Sequence, residues 1–314
     1  RAERARYCPG DREDGSECRY RDWGLLPYWF RGVEAFAPWV RRVHFVTWGH
    51  LPPWLNTEHP KLHIVRHEDY VPEEYLPTFN CNVLEIHLHR IQGLAERFVY
   101  FNDDMYLLRP VKPETFFREG KPVDMLAFQP VVVDQNSPLF SYLLLNNMVA
   151  LNRHFPKREN VRRQPGSYLH IGYPPLYFFY NLLEAAFGSY TGLYTVHGPS
   201  PFCRETFREV WEREGAWLAA TSKNRFRSRD DLTQYLFREW QKLSGNFHPR
   251  NVRRDLAYYD LGTEGLPQAI RRRKTPMICV NDRAGVRDAE GLRRELQEAF
   301  RQLLPEPSSF ERRA

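Results

Sequence analysis

The chain of 314 residues has no long uninterrupted hydrophobic run. No stretch approaches the roughly 20 apolar residues that a membrane-spanning helix needs, and no signal peptide is evident. Cysteine is also scarce, with five residues at irregular spacing and no C-x-x-C pair. The sequence therefore indicates neither a zinc ribbon nor a disulfide framework. A reducing, cytoplasmic location fits this cysteine usage best.

The motifs of several common enzyme classes are missing as well. There is no G-x-G-x-x-G, no Walker A loop, no G-x-S-x-G elbow and no H-E-x-x-H. The usual dinucleotide, P-loop, serine-hydrolase and zinc-protease signatures are thus excluded. The phosphatase pattern Asp-x-Asp is disfavoured too, because the acids that follow a predicted strand are adjacent.

The composition is basic and rich in aromatic residues. The net charge is +6, and Phe, Trp and Tyr make up 15% of the chain. This balance suits an anionic partner such as a nucleotide phosphate or anionic lipid. A nucleic-acid-binding module would need a localised basic stripe with exposed aromatics. The arginines are dispersed, so we expect no nucleic-acid partner.

The first third of the chain alternates strand and helix patterns. The predicted strands are Val43–Trp48, Lys61–Arg66 and Phe98–Phe101, and the predicted helices are 25–37 and Asn82–Gln92. This alternation predicts an α/β fold, with a Rossmann-like or GT-A-like, mainly parallel sheet flanked by helices. We expect one domain over residues 1–314, with a helical insertion.

The rest of the chain is predicted to be mainly helical. The expected helices are Ser141–Asn152, Tyr177–Phe187, Phe202–Trp217, Asp230–Leu243 and Gly291–Leu304, with strands at Val123–Phe128 and Pro276–Val280 and a loop over 153–175. The aromatic side chains of Tyr177–Phe187 are expected in the core, with a membrane-facing patch as the alternative.

Two predicted strands each end in an amide and an acid. Asn102, Asp103 and Asp104 follow the strand at 98–101, and Asn281 and Asp282 follow the strand at 276–280. If these strands are neighbours, their oxygens would converge on one Mg²⁺ or Mn²⁺ ion. We therefore predict Asp103, Asp104, Asp282 and Asn281 as metal ligands. The alternative is a simple turn, which Asn and Asp also favour.

Two further segments carry groups suited to phosphate chemistry. His197 lies in a Gly/Pro-rich loop that would fix its position, as a general base requires. Arg225 and Arg227 precede a predicted helix, and guanidinium groups bind phosphate oxygens bidentately. The alternatives are a loop histidine bonded to the backbone and a solvated basic turn.

The sequence resembles the Stealth family, sugar-1-phosphate transferases of bacterial capsule synthesis. The animal relative adds N-acetylglucosamine-1-phosphate to lysosomal glycoproteins. The matching segments are Arg19–Leu26, Ala37–Val40, Phe45–His50, Pro53–Leu55, Leu76–Asn80, Glu85, Leu88–Ile91, Tyr100–Met105, His197–Pro199, Arg225, Arg227, Asp231 and Cys279–Asp282. The family's first region, a strand ending in an acidic motif, would lie before Arg1, so we expect the chain to be truncated there.

The resemblance implies a reaction and the residues that perform it. The donor would be a nucleotide-sugar, a UDP-hexose derivative, and the acceptor a glycan hydroxyl. Residues 19–110 would form the nucleotide-sugar and metal half, and residues 111–314 the helical and acceptor half. The implied catalytic residues are His197, Arg225, Arg227 and Asp104, and the implied substrate-binding residues are Asn80, His89, Asn102, Arg204 and Asp231. The alternatives are a plain metal-dependent glycosyltransferase and a glycan-binding protein without catalysis. Peripheral membrane association is compatible with an enzyme of surface-glycan synthesis, although no segment of the sequence requires it.

Overall fold

The computed structural model describes residues 2–7, 20–135, 138–282 and 285–312. The helices are α1 (Ala2–Tyr7), α2 (Leu26–Phe36), α3 (Cys81–Ile86), α4 (Pro138–His154), α5 (Lys157–Arg163), α6 (Pro165–Tyr168), α7 (Pro175–Glu184), α8 (Arg204–Lys223), α9 (Tyr235–Leu243), α10 (Leu266–Arg272) and α11 (Ala289–Leu303). The strands are β1 (Val43–Thr47), β2 (Leu62–Arg66), β3 (Arg97–Tyr100), β4 (Met105–Leu107), β5 (Phe117–Arg118), β6 (Lys121–Asp124), β7 (Ser200–Cys203), β8 (His248–Pro249), β9 (Leu256–Asp260) and β10 (Met277–Asn281). No helix within these ranges is long and apolar enough to cross a bilayer.

The strands pair in small groups. β1 and β2 are parallel, whereas β3 and β7 are antiparallel. β10 lies between β4, to which it is antiparallel, and β9, to which it is parallel. β6 is likewise antiparallel to β5 and parallel to β8. The α/β class is confirmed. Within the described ranges, however, the strands form four small sheets and no single parallel sheet.

The three-stranded group β4–β10–β9 joins the two halves of the chain. Met277 pairs with Leu107 in β4 and with Leu256 in β9. Helix α2 covers β4 closely, because a Cβ atom on Gly32 would lie 3.3 Å from the Leu107 carbonyl oxygen. This pairing brings the end of β10 beside the turn that precedes β4. The strand predicted at 98–101 corresponds to β3, which pairs with β7 and not with β10. The acidic turn still lies beside the end of β10, because β4, the strand that follows the turn, pairs with β10.

Several predicted elements differ from the structure. The helix predicted over Asn82–Gln92 ends at Ile86 and is followed by a short 3₁₀ turn. The loop predicted over 153–175 contains α5 and α6, so that prediction was wrong. Together with α4 and α7, these helices form a helical insertion between β6 and β7, as predicted. Residues 8–19 lie outside the described residues.

Helix α9 is buried on every side. The pattern at 230–243 predicted an amphipathic helix, but the helix begins at Tyr235 and all nine of its residues are buried. Arg238 donates from Nε to Asp124 Oδ2 at 2.6 Å and from a terminal nitrogen to Oδ1 at 3.1 Å. Burial alone would raise the pKa of Asp124, but the charges of Arg238 and Lys242 outweigh it and lower the pKa.

We predict that Arg238→Met destabilises the protein by about 3–5 kcal/mol, because Asp124 would be left charged and buried without its partner. Urea denaturation followed by circular dichroism measures this loss. Arg254→Met, at an exposed arginine, is the control and should unfold like the wild type. In the double variant Asp124→Leu/Arg238→Met, part of the loss should be recovered. Equal stability of Arg238→Met and the wild type would contradict the prediction.

Candidate active site

The acidic segment Asn102–Asp104 forms the turn between β3 and β4. The backbone N–H of Val280 in β10 donates to the Asp104 carbonyl at 2.8 Å, which fixes the turn against β10. The Asp103 side chain is exposed, whereas Asp104 is half-buried. The two adjacent carboxylates therefore differ in exposure, although removal from water and the negative charge of Asp104 still raise the pKa of Asp103.

Asp104 lies in a cluster with His197 and Cys279. Asp104 Oδ2 is 3.2 Å from His197 Nε2 and 3.4 Å from Cys279 Sγ. One ligand atom of each residue lies within 4.8 Å of the other two, a spacing that could hold a metal ion. The cluster joins three distant parts of the chain: the turn before β4, the loop before β7 and the middle of β10.

His197 is held on both sides of its ring. Its Nδ1 atom lies 3.0 Å from the hydroxyl of Tyr235, the first residue of α9. Its neighbour Val196 accepts a hydrogen bond from Arg238 at 2.8 Å. A Cβ atom on Gly198 would lie 2.2 Å from a Leu256 methyl group, so glycine lets this loop approach β9. These contacts give the loop a fixed position next to the acidic turn.

Two oxygens near the cluster suit a divalent cation. Asp104 Oδ1 and Asn102 Oδ1 are buried, and neither has a hydrogen-bond partner among the described residues. Buried polar atoms normally have partners, so these two oxygens are available to bind a ligand. Carboxylate and amide oxygens are the donors that Mg²⁺ and Mn²⁺ prefer. The residues present therefore fit the metal that the sequence predicts.

The thiol of Cys279 is less suitable as a ligand. Burial, together with the negative charge of Asp104, raises the pKa of this thiol well above its usual value. The protonated thiol can donate to Asp104 Oδ2, whereas metals bind thiolate. An oxygen-ligated metal is thus favoured over a zinc site of the Cys/His type.

Asp282 and Asn281 have other partners in this structure. Asp282 accepts a hydrogen bond from Trp23 Nε1 at 2.8 Å and pairs with Arg21 at 3.3 Å. Asn281 donates to Asp260 Oδ1 at 3.1 Å. Asn281 ends β10 and Asp282 follows it, next to the acidic turn. In this structure residues 21–23 bind Asp282, and Asp260 of β9 binds Asn281.

Of the two predicted phosphate-binding arginines, one is exposed and one is half-buried. The exposed Arg225 lies over the Tyr7 ring, with 4.3 Å from the guanidinium carbon to the ring centroid, and donates to the Pro77 carbonyl. Arg227 donates to Cys81 Sγ at 2.8 Å. The positive charge of Arg227 also acts on Glu85, whose pKa is nevertheless raised by removal from water.

Asn80 and Asp231 form a buried hydrogen-bond network. Asn80 caps α3 and donates from Nδ2 to Asp231 Oδ2 at 2.8 Å. Asp231 also accepts from Asn82, Asn224 and the Ser228 backbone. Burial raises the pKa of Asp231, and these hydrogen bonds act in the opposite direction. The network holds residues 224–231, which carry both arginines, against α3.

His89 and Arg204 contact each other rather than the cluster. Arg204 Nε donates to the His89 carbonyl at 2.7 Å. The His89 ring packs on Phe207 and Trp211. Burial, together with the charge of Arg90, lowers the pKa of His89 to about 4. In this structure both residues serve to attach the start of α8 to the turn after α3.

The sequence did not single out four residues that surround the site. They are Glu85, Tyr235, Arg238 and Cys279, of which Glu85 accepts a hydrogen bond from Tyr100 at 2.9 Å. Glu85 and Cys279 were quoted within matching segments but received no role. Tyr235 and Arg238 gave no signal, because their spacing fits an ordinary amphipathic helix.

A mixed α/β fold with a half-buried acid–histidine pair at strand ends defines a class of site equipped for proton transfer and cation binding.

Comparison with known proteins identifies the family. Residues 19–124 match "Stealth protein CR2, conserved region 2", residues 196–237 match conserved region 3, and residues 268–314 match conserved region 4. The capsular polysaccharide phosphotransferase WcwK of Streptococcus pneumoniae is 37% identical over 300 residues, which cover 95% of this chain and 88% of the relative.

Two further relatives extend the comparison to other polysaccharides. The receptor polysaccharide phosphotransferase WefC of Streptococcus gordonii is 37% identical over 94% of this chain and 88% of its own length. The exopolysaccharide phosphotransferase cps2G of Lactiplantibacillus plantarum is 34% identical over 96% of this chain and 89% of its own length. The chain belongs to the Stealth family, as its sequence motifs predicted.

We predict that Asp231→Ala destabilises the protein by about 2–4 kcal/mol, because several buried amide donors would lose their acceptor. Its sequence neighbour Asp230 is exposed, so Asp230→Ala is a matched control and should change stability by less than about 0.5 kcal/mol. Thermal unfolding measures both. If Asp231→Ala weakened substrate binding and left stability unchanged, the residue would act as a ligand and the network assignment would be wrong.

Proposed function

We propose that this protein transfers a hexose-1-phosphate from a nucleotide-sugar, a UDP-hexose derivative, to a hydroxyl group of a glycan. The product is a phosphodiester in a surface polysaccharide, and the nucleoside monophosphate is released. The observation that carries the proposal is the 3.2 Å contact between Asp104 and His197. This contact joins the segments that match conserved regions 2 and 3, and the similar proteins are named as polysaccharide phosphotransferases.

His197 is proposed to accept the proton of the attacking hydroxyl. In the tautomer with its proton on Nδ1, His197 donates to the Tyr235 oxygen and leaves Nε2 to accept a proton. The acceptor oxygen then forms its bond to phosphorus as the bond to the nucleotide phosphate breaks. The imidazolium that results can donate from Nε2 to the Asp104 carboxylate, whose negative charge stabilises it.

Asp104, Asn102 and the exposed Asp103 are the residues that would hold a Mg²⁺ or Mn²⁺ ion. Such an ion supplies positive charge to the diphosphate and the leaving group. Asp282 and Asn281 follow β10 at the same edge and remain proposed ligands. To bind the ion, Asp282 would first have to release Trp23 and Arg21, and Asn281 would have to release Asp260.

Arg225 and Arg227 are proposed to bind the non-bridging phosphate oxygens. Phosphoryl transfer depends mainly on positioning and on stabilisation of spread negative charge. The Asn80–Asp231 network supports this role because it fixes the segment that carries both arginines. His89, Arg204 and Asn102 are kept as proposed substrate contacts. In this arrangement residues 19–110 bind the donor, and residues 111–314 provide the acceptor side.

We predict that the protein, supplied with a UDP-sugar, a glycan acceptor and Mg²⁺ or Mn²⁺, releases UMP and forms a phosphodiester. Phosphorus NMR of the product and chromatography of the nucleotide measure the outcome. Chelation with EDTA should stop the reaction, and either cation should restore it. Release of UDP with a glycosidic product would show a plain glycosyltransferase instead. Glycan binding without turnover would reject the enzyme assignment.

We predict that His197→Gln lowers kcat about 10²- to 10⁴-fold with a smaller change in KM, because the general base is lost and the fold retained. His170→Gln, at a histidine outside the site, is the control and should keep wild-type turnover. Unfolding curves of both variants should match the wild type. A His197→Gln protein with full activity would refute the proposed proton acceptor.

A further inference from the structure

Helix α7 has its polar side facing the protein and its apolar side facing solvent. The three buried residues of α7 are Tyr177, Asn181 and Glu184. Its exposed large apolar residues are Leu176, Phe179, Tyr180, Leu182 and Leu183, and Phe187 follows just beyond the helix. Helices on a protein surface normally show the opposite arrangement. The prediction that the aromatic residues of this segment lie in the core was therefore wrong for most of them.

The inward orientation of α7 is fixed by specific hydrogen bonds. Asn181 accepts from the Phe128 backbone at 2.6 Å and donates to the Leu126 carbonyl at 2.9 Å. Glu184 accepts from Thr191 at 2.9 Å and pairs with the buried Lys157 at 3.5 Å. Rotation of the helix about its axis would break all of these contacts. The apolar side is thus held outward.

The outward side is strongly exposed and uncharged. Phe179 is 61% exposed, Leu183 is 67% exposed and Phe187 is 56% exposed. In the preceding loop, Ile171 is 96% exposed. The one charged residue of α7, Glu184, is buried. We call the exposed residues Ile171, Leu176, Phe179, Leu183 and Phe187 the α7 surface. An exposed apolar surface of this kind indicates a binding partner.

The charges beside the α7 surface are mainly positive. Arg253 is exposed and lies 5.2 Å from the Tyr177 ring centroid, at the start of α7. Helix α5 begins beside the other end, where Lys157 donates to the Glu184 carbonyl at 2.5 Å. The exposed charged residues of α5 are Arg158, Arg162, Arg163 and one acid, Glu159. Cations at both ends match the phosphate groups of anionic lipids.

We propose that the α7 surface docks this protein on an anionic lipid membrane. Phe179, Leu183 and Phe187 enter the boundary between headgroups and acyl chains, and Arg158 and Arg253 bind lipid phosphates. A helix with an uncharged apolar side and neighbouring arginines lies in the plane of the interface without crossing the bilayer. The docking does not depend on the reaction proposed above, because the two rest on different residues.

Co-sedimentation of the full chain with large unilamellar vesicles tests the docking. Vesicles of phosphatidylcholine mixed with phosphatidylglycerol should bind the protein, and vesicles of pure phosphatidylcholine should bind it much less. Phe179→Ser/Leu183→Ser should lower the partition coefficient about tenfold or more, because two apolar side chains lose their lipid contacts. Arg158→Gln should lower it about fivefold at low salt.

Leu51→Ser is the matched control, since Leu51 is an exposed leucine outside the α7 surface, and it should bind vesicles like the wild type. Thermal unfolding shows whether each variant is folded. If the double variant is not folded, Arg158→Gln still provides the test. Equal vesicle binding by the wild type and Arg158→Gln at low salt would overturn the proposal. The proposal would also be overturned if the wild type did not bind anionic vesicles and analytical ultracentrifugation showed a dimer that forms through the α7 surface.

Discussion

The buried ion pair between Arg238 and Asp124 connects the elements on which the site depends. Arg238 binds both carboxylate oxygens of Asp124, at the end of β6, and also donates to the Val196 carbonyl at 2.8 Å and to Ser200 Oγ at 3.3 Å. One guanidinium group therefore holds a strand end and both sides of the loop that carries His197. Burying such a pair costs desolvation free energy. Its structural benefit is specificity, because few other arrangements of these segments would give all of the buried polar groups a partner.

Other polar residues of α9 bind the residues on either side of this loop. Gln241 accepts from the Cys203 backbone at 2.7 Å and donates to the Pro201 carbonyl at 3.1 Å. Glu239 accepts from Thr195 at 3.0 Å, and Tyr235 contacts His197 itself. A helix that looks amphipathic in sequence thus serves as a buried polar support. Catalytic groups need fixed positions, and a buried polar network around a loop provides that.

How far the sequence could predict the site depended on the distance between partners along the chain. Asp104 and His197 could be named because each stands in a locally distinctive pattern, an acidic turn after a strand and a Gly/Pro loop. Their contact depends on the pairing of β3 with β7, and the contact of Asp104 with Cys279 depends on the pairing of β4 with β10. No local pattern encodes either pairing. The family resemblance brought Asn80 and Asp231 to attention, but only the structure shows that they bind each other. The same limit applies to the sheet, since alternation of strands and helices predicts an α/β fold without specifying which strands pair.

Helix α7 shows why periodicity alone could not place its aromatic residues. The spacing of Leu176, Phe179, Tyr180 and Leu183 identifies one apolar side of a helix but carries no information on whether that side faces the protein. What decides the orientation is the opposite side, where Asn181 satisfies the Phe128 N–H and the Leu126 carbonyl, buried backbone groups that would otherwise lack partners. Leaving such backbone groups buried without a partner costs at least as much free energy as exposing an apolar side chain. The hydrogen bonds therefore determine the orientation of α7, and its hydrophobic residues are left for another surface to cover.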